Sequence, residues 1–269
     1  MTPVLATSDL AVGYSGRPVV EHIDLTLLPG QALSLVGVNG SGKSTLLKTI
    51  AGLLEPISGE MKVFGDVPGA APNRVAYLGQ FHAAAEGLLP MQVRDVVLMA
   101  RYRRRGLLGR LTRADHAAVE ASLERLEIGR LATKPLRALS GGQQRRVHLA
   151  HVLASEADLL LLDEPTAGLD AGANERYAQL IREELDRGAS VAVATHDVRD
   201  AARADCVVLL AGRVIAAGAP RDVLTQEQLA HAFGIALLAI PHGDHTDLIV
   251  PEDAHAHDEH GMHDRHGHA

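Results

Sequence analysis

The chain has 269 residues, 46% hydrophobic and 22% charged, with 26 glycines and 12 prolines, a balance that suits one globular domain with a subdomain and excludes a collagen-like or low-complexity body. Four tyrosines, three phenylalanines and no tryptophan leave too few aromatic platforms for a surface that stacks single-stranded bases. The formal charge of −7 sits mostly in residues 241–269, where seven acids face Arg265 alone, so the first 240 residues are near neutral, which argues against a dedicated duplex-binding protein.

The N-terminus, MTPVLATSDLAVGYSG, lacks the basic and apolar regions of a secretory leader, and no uncharged apolar stretch reaches the roughly 18 residues that a bilayer demands. A cytoplasmic chain is expected, borrowing any membrane role from a partner. Cys206 is the single cysteine, inside the apolar run CVVLL; no intramolecular disulfide can form, and a buried core thiol is the simplest reading.

In chain order, VLATSDLAV and PVVEHIDLTLL alternate as half-buried antiparallel strands, and ALSLV is a continuous apolar run between glycines, as a buried strand should be. The glycine loop GVNGSGKS and the helical STLLKTIAGLL follow, then the strands GEMKVFG and RVAYLG. Residues of about 82–157 change to helix-periodic stretches, QVRDVVLMARYRRR, RADHAAVEASLERL and GGQQRRVHLAHVLAS, and read as a helical insertion in an α/β core. The α/β pattern resumes with DLLLLDE, GANERYAQLIREELDRG, SVAVAT, DVRDAAR, CVVLLA and RVIAAG. Buried strands alternating with helices predict a mostly parallel, helix-flanked sheet. From Pro241 onward the composition turns to His, Asp and Gly, and disorder is expected.

The eight residues Gly37, Val38, Asn39, Gly40, Ser41, Gly42, Lys43 and Ser44 match the phosphate-binding P-loop at every fixed position. The glycines let successive N–H groups face phosphate oxygens, Lys43 neutralises the terminal phosphates, and the Ser44 hydroxyl reaches Mg²⁺. The next helix turns its positive N-terminus toward the anion. Such a site needs a second strand ending in acid, and DLLLLDE supplies Asp163 for the metal shell and Glu164 as candidate general base.

The run LSGGQQRR, residues 139–146, then sorts this P-loop from others. With it, residues 4–235 resemble the ATP-binding subunit of an ATP-binding cassette (ABC) transporter. The resemblance implies an α/β P-loop NTPase core with an N-terminal antiparallel β subdomain and the inserted helical subdomain. It implies that Tyr14 stacks on adenine, that Thr45 belongs with the P-loop, and that Gln80 contacts Mg²⁺ and the helical subdomain. By the same resemblance Ser140, Gly141, Gly142 and Gln143 form the signature, Asp170 in AGLD a dimer-contacting loop, and His196 in ATHD the switch histidine. Taken singly, Tyr14 reads rather as a hairpin residue, Gln80 as a polar strand end and His196 as a structural histidine; their conjunction in the right order along the chain overturns that and favours the functional reading. The resemblance further implies ATP and Mg²⁺ as cofactors and a head-to-tail homodimer with each ATP between one chain's P-loop and the other's signature. It implies a separate integral-membrane permease on whose cytoplasmic face the subunit works, and indirectly an extracytoplasmic metal-binding protein; no nucleic acid is expected.

The segment LLPMQVRDVVLMARYRRRGLLGRLTRADHAAVEASLERL looks most like the zinc/manganese import branch, with siderophore-import ATPases the near neighbour. Arg101, Arg103, Arg104 and Arg105 either face the membrane or the permease, or form a solvated helix face. In the tail, His242, His245, His255, His257, His260, His263, His266 and His268 are interleaved with carboxylates, a donor set that suits Zn²⁺, Ni²⁺ or Cu²⁺; the plain alternative is a solvated polar tail. A soluble ABC-type ATPase acting on ribosomes or DNA is a further alternative, disfavoured by the single cassette and the lack of sustained heptads.

Overall fold

The computed structural model describes residues 2–80, 91–105, 109–167, 171–234, 238–242 and 245–249. The chain opens with an antiparallel hairpin, β1 (Leu5–Tyr14) and β2 (Arg17–Leu27). Ser15 and Gly16 both take positive φ between them, as a two-residue turn compatible with strand twist requires. It then runs through β3 (Ala32–Val36) and α1 (Lys43–Ile50) and returns as β4 (Ser58–Val63) on the free edge of β1. This three-stranded sheet, β2-β1-β4, is the expected N-terminal β subdomain.

The second sheet is the core. β5 (Val75–Leu78), β6 (Leu159–Asp163), β7 (Ser190–Thr195), β8 (Cys206–Leu210) and β9 (Val214–Gly218) join β3 in the order β5-β6-β7-β3-β8-β9. Every neighbouring pair is parallel except β8 and β9. β3 and β6 are buried at every position, which is why ALSLV and LLLLD are apolar but for Ser34 and the terminal Asp163: both faces of a parallel sheet are covered. On one face α1 docks through Leu46, Leu47 and Ile50, all fully buried. Each such side chain contributes about 1.5–3 kcal/mol, whereas eight residues would not hold a helix in water by propensity alone.

Between β5 and β6 the described residues carry three α-helices, α2 (Val93–Arg105), α3 (Arg113–Arg125) and α4 (Gly141–Ala154), sharing one apolar cluster with β5, β6 and the helix that follows β6, α5 (Ala171–Asp186). Thr112 and Asp115 close a reciprocal capping box at the start of α3. After β7 come the short α6 (Val198–Ala201), then α7 (Pro220–Val223) and α8 (Gln226–Phe233), which cover β8 and β9 with a third apolar cluster.

Three sequence expectations change. Arg101 is no exposed cation: its side chain is 5% exposed and its guanidinium bonds Asp115 at 2.9 Å, Glu156 at 2.8 Å and the Ala154 carbonyl at 2.8 Å. The side chains of residues 103–105 lie outside the described residues. Cys206 is half-buried, at the edge of the core, its thiol pKa raised by burial. The boundary at 241 falls within an antiparallel hairpin, β10 (Leu238–His242) and β11 (His245–Ile249), in register from Leu238 opposite Ile249 to His242 opposite His245. The last six tail histidines lie outside the described residues.

Candidate functional site

The sheet order brings together residues far apart in sequence. Val36 pairs with Thr195 and Asp163 with Ala194, so the glycine loop after β3, the acids ending β6 and His196 after β7 all leave the sheet at the carboxyl edge of adjacent strands. In open α/β sheets that edge is where ligands bind. Gln80 joins them, because β5 lies beside β6 with Leu78 opposite Leu162. Tyr14 arrives from the end of β1 and accepts a 3.4 Å hydrogen bond from Thr45 Oγ1.

Together Tyr14, Asn39, Gly40, Ser41, Gly42, Lys43, Ser44, Thr45, Gln80 and Glu164 line a cleft of about 680 Å³, with Val19, Arg145 and Ala167 completing it. That volume suits a small-molecule ligand. The loop geometry requires glycine at two places. A Cβ on Gly37 would run into the Leu210 carbonyl, and Gly42, at φ 102°, would drive one into Val20. Gly42 is also the N-cap of α1, with no side-chain cap and no acid in the first turn, so the open N–H groups of that turn are left for an anion. α3 and α4, by contrast, close their own N-termini with capping boxes.

Lys43 is 4% exposed and donates to the carbonyls of Gly37 at 2.6 Å and Val38 at 2.8 Å. Burial lowers its pKa, countered by the charges of Glu164 and Asp163; a cation in this position matches a terminal phosphate. Asp163 is 1% exposed. Burial raises its pKa, a hydrogen bond from Ser44 pulls the other way, and the neighbouring Glu164 raises it again. Its Oδ1 is buried with no hydrogen-bond partner among the described residues. An orphaned carboxylate oxygen beside a serine hydroxyl fits an oxygen-seeking cation such as Mg²⁺.

Glu164 adopts φ 47°, the left-handed region. His196 Nδ1 stands 4.0 Å from Glu164 Oε1, a neighbour beyond hydrogen-bond range, with its side chain 63% exposed. Two participants were missed in the sequence. Tyr77 donates to Asp163 Oδ2 at 3.4 Å, and burial, then the Asp163 charge, push its hydroxyl pKa up; nothing in VAYL marks it. Arg145, inside the quoted LSGGQQRR, lines the cleft and donates from Nε to the Pro165 carbonyl at 2.7 Å.

The signature residues lie elsewhere. Ser140 caps α4, accepting from the Gln143 N–H at 3.4 Å, while Gln143 Oε1 accepts from the Ser140 N–H at 3.1 Å. Ser140 and Gly141 are exposed, none of residues 140–143 lines the cleft, and a Cβ on Gly141 or Gly142 would meet nothing within 4 Å. No packing within the described residues asks for glycine there. Asp170 lies outside the described residues. Among the described residues no helix is long and apolar enough to cross a membrane, and no cluster of His, Cys, Asp and Glu is arranged to hold a metal ion.

The sequence pattern of the family described as ABC transporter matches residues 20–167. The chain is 38% identical to the zinc transport system ATP-binding protein TroB of Treponema pallidum (strain Nichols), over 93% of each chain. It is 37% identical to the manganese transport system ATP-binding protein MntB of Bacillus subtilis (strain 168), over 84% of this chain and 90% of that one. It is 39% identical to the hemin import ATP-binding protein HmuV of Streptomyces coelicolor, over 91% and 88%. The structure of cbiO1 from Clostridium perfringens, part of the ABC transporter complex cbiONQ, superposes with a TM-score of 0.70 at 28% identity, covering 86% of this chain and 94% of that one.

Proposed function

The chain belongs to the ABC transporter family as an ATP-binding, ATP-hydrolysing subunit, and from that premise we propose that it drives import of a divalent transition metal, zinc or manganese, through a separate membrane permease. The observation that carries the nucleotide half is the cleft at the carboxyl edge of the sheet, lined by the P-loop with buried Lys43 and by Glu164, with Asp163 hydrogen-bonded to Ser44 of that lining. In it the loop N–H groups and Lys43 hold the β- and γ-phosphates of ATP, and Tyr14 stands where the base stacks. Ser44, Gln80 and Asp163 would hold Mg²⁺, which supplies charge neutralisation on the phosphate oxygens.

Glu164 orients a water and accepts its proton as the water oxygen bonds to the γ-phosphorus. The bond from that phosphorus to the bridging oxygen breaks, and ADP leaves with its electron pair. His196, 4.0 Å from Glu164, would steady the developing charge. One chain supplies only half of what surrounds each ATP: the capped, unobstructed N-terminus of α4 at Ser140, Gly141 and Gly142 supports a second copy offering its own signature to this P-loop. Closure is then driven by ATP bound between two surfaces, since a ligand shifts an equilibrium only by its differential affinity. Asp170 is assigned to that same interface.

Zinc and manganese are favoured because two relatives from different organisms, TroB and MntB, are named for those ions and match over 93% and 84% of this chain; the hemin-import relative, matching over 91%, sustains an iron-chelate importer as the second reading. The test is ATPase activity at the cytoplasmic face of the reconstituted permease, with binding protein loaded with zinc, manganese or hemin. Stimulation by zinc or manganese is expected; stimulation by hemin alone would move the assignment to the chelate.

The histidine-rich end of the chain is proposed to hold zinc as a buffer, since imidazole and carboxylate recur at short gaps. The hairpin gives a natural cut after Val250. A chain ending there, without His255, His257, His260, His263, His266 and His268, is expected to lose most of its zinc uptake by calorimetry; unchanged stoichiometry would remove the tail from that role.

A further inference from the structure

Glu164 is held in a conformation that its side chain does not favour. A non-glycine residue at φ 47° is strained and persists only where its surroundings fix it. Three hydrogen bonds fix this turn: the Glu164 N–H donates to the Ala194 carbonyl at 2.9 Å, the Ala167 N–H to the Glu164 carbonyl at 3.3 Å, and Arg145 Nε to the Pro165 carbonyl at 2.7 Å. The first comes from the neighbouring strand and the second from within the turn. The third comes from α4, five positions after its cap Ser140.

Arg145 is a costly residue to place there. Its Nη2 is buried with no hydrogen-bond partner among the described residues, and a buried donor left unpaired forfeits the hydration it had in the unfolded chain. Burial lowers its pKa while the charges of Glu164 and Asp163 hold the guanidinium charged. Nor does the side chain complete an ion pair, since among the described residues no carboxylate lies within salt-bridge distance of it. What it does reach is the carbonyl next to the strained acid.

We infer that Arg145 is a positioning residue for Glu164, fastening the strained turn at Pro165 to α4 so that the attitude of that helix sets where the carboxylate stands. The inference rests on Glu164 being the general base, as proposed above. It gives α4 two duties. Its capped end at Ser140 addresses the triphosphate held by a second copy, and one and a half turns later Arg145 grips the base of its own site. Engagement of one nucleotide thereby changes the geometry at the other through a rigid helix, acting on kcat and leaving nucleotide affinity largely alone.

The experiment measures steady-state ATPase, ATP·Mg²⁺ binding and thermal unfolding of the full chain for the wild type, Arg145→Ala, Arg145→Lys and Glu164→Gln. A displacement of about 1 Å costs on the order of 100-fold in rate, so Arg145→Ala is expected to lower kcat by about 10- to 100-fold, with KM within about threefold and an unchanged unfolding midpoint. Arg145→Lys, whose ammonium donates to the same carbonyl, is expected to recover part of kcat. Wild-type kcat in Arg145→Ala overturns the inference. So does a joint loss of kcat, ATP affinity and thermal stability that Lys does not relieve, because that describes packing alone. A wild-type chain without ATPase, or a Glu164→Gln variant that turns over normally, would instead overturn the assignment of Glu164.

Discussion

Glu164→Gln is expected to lower ATP turnover by about 10²- to 10⁴-fold, the range that a positioned general base supplies, while ATP·Mg²⁺ binding stays within a few-fold of wild type. The substitution keeps size, shape and one oxygen acceptor and removes only the proton-accepting charge. Nothing that holds the phosphates changes: Lys43 stays on the Gly37 and Val38 carbonyls, and the backbone at Glu164 keeps its bond to Ala194. Because binding persists and the chemical step fails, ATP-loaded complexes should accumulate. Light scattering of Glu164→Gln with ATP·Mg²⁺ should then register twice the mass of one chain, falling back when ATP is replaced by ADP. Turnover within a few-fold of wild type would take the base away from Glu164, and a single-chain mass at saturating ATP would take away the two-chain site.

Asp115→Ala should destabilise the helical subdomain by about 3 kcal/mol, the lower end of the roughly 3–5 kcal/mol for removing one partner of a buried ion pair. Asp115 is fully buried and Arg101 nearly so. The lower end applies because Glu156, itself 47% exposed, still reaches the guanidinium at 2.8 Å. The Asp115 carboxylate also caps α3, its Oδ2 accepting from the Thr112 N–H at 2.8 Å, so the substitution opens a helix end as well. Glu120→Ala is the internal comparison: its pair with Arg94 is exposed on both sides, at 44% and 48%, and such pairs contribute about 0–1 kcal/mol. Urea unfolding of both variants would measure the contrast. Equal midpoints would mean that Arg101 and Asp115 add nothing beyond a surface pair.

What could be read in the sequence divides by distance along the chain. The P-loop was legible because its eight positions are contiguous and the physics is local: glycines for close backbone approach, one cation, one hydroxyl. The buried strands β3 and β6 announced themselves as apolar runs because the parallel sheet covers both faces. Glu164 and His196 are 32 positions apart, and only the register of β6 against β7 makes them neighbours; the sequence pointed to the pair through family resemblance. Arg101 misled because its partners Asp115 and Glu156 lie on later elements, and RYRRR by itself is indistinguishable from a solvated face. The hairpin at residues 238–249 was missed because composition speaks to side-chain burial, whereas a hairpin ladder is made of backbone groups. α8 was readable and overlooked, with Thr225 capping its start and Gly234, at φ 68°, its end.

The clear space around Gly141 and Gly142 also bears on inheritance. A residue whose surroundings come from another molecule cannot be judged by the fate of its own chain. On the two-chain site proposed above, a subunit crippled at Lys43 would still lend a sound signature, and one crippled at Gly142 a sound P-loop. Two defective alleles of these kinds, each inactive alone, would rebuild one working half in every mixed pair, and a genetic screen would score them as complementing although they lie in the same reading frame.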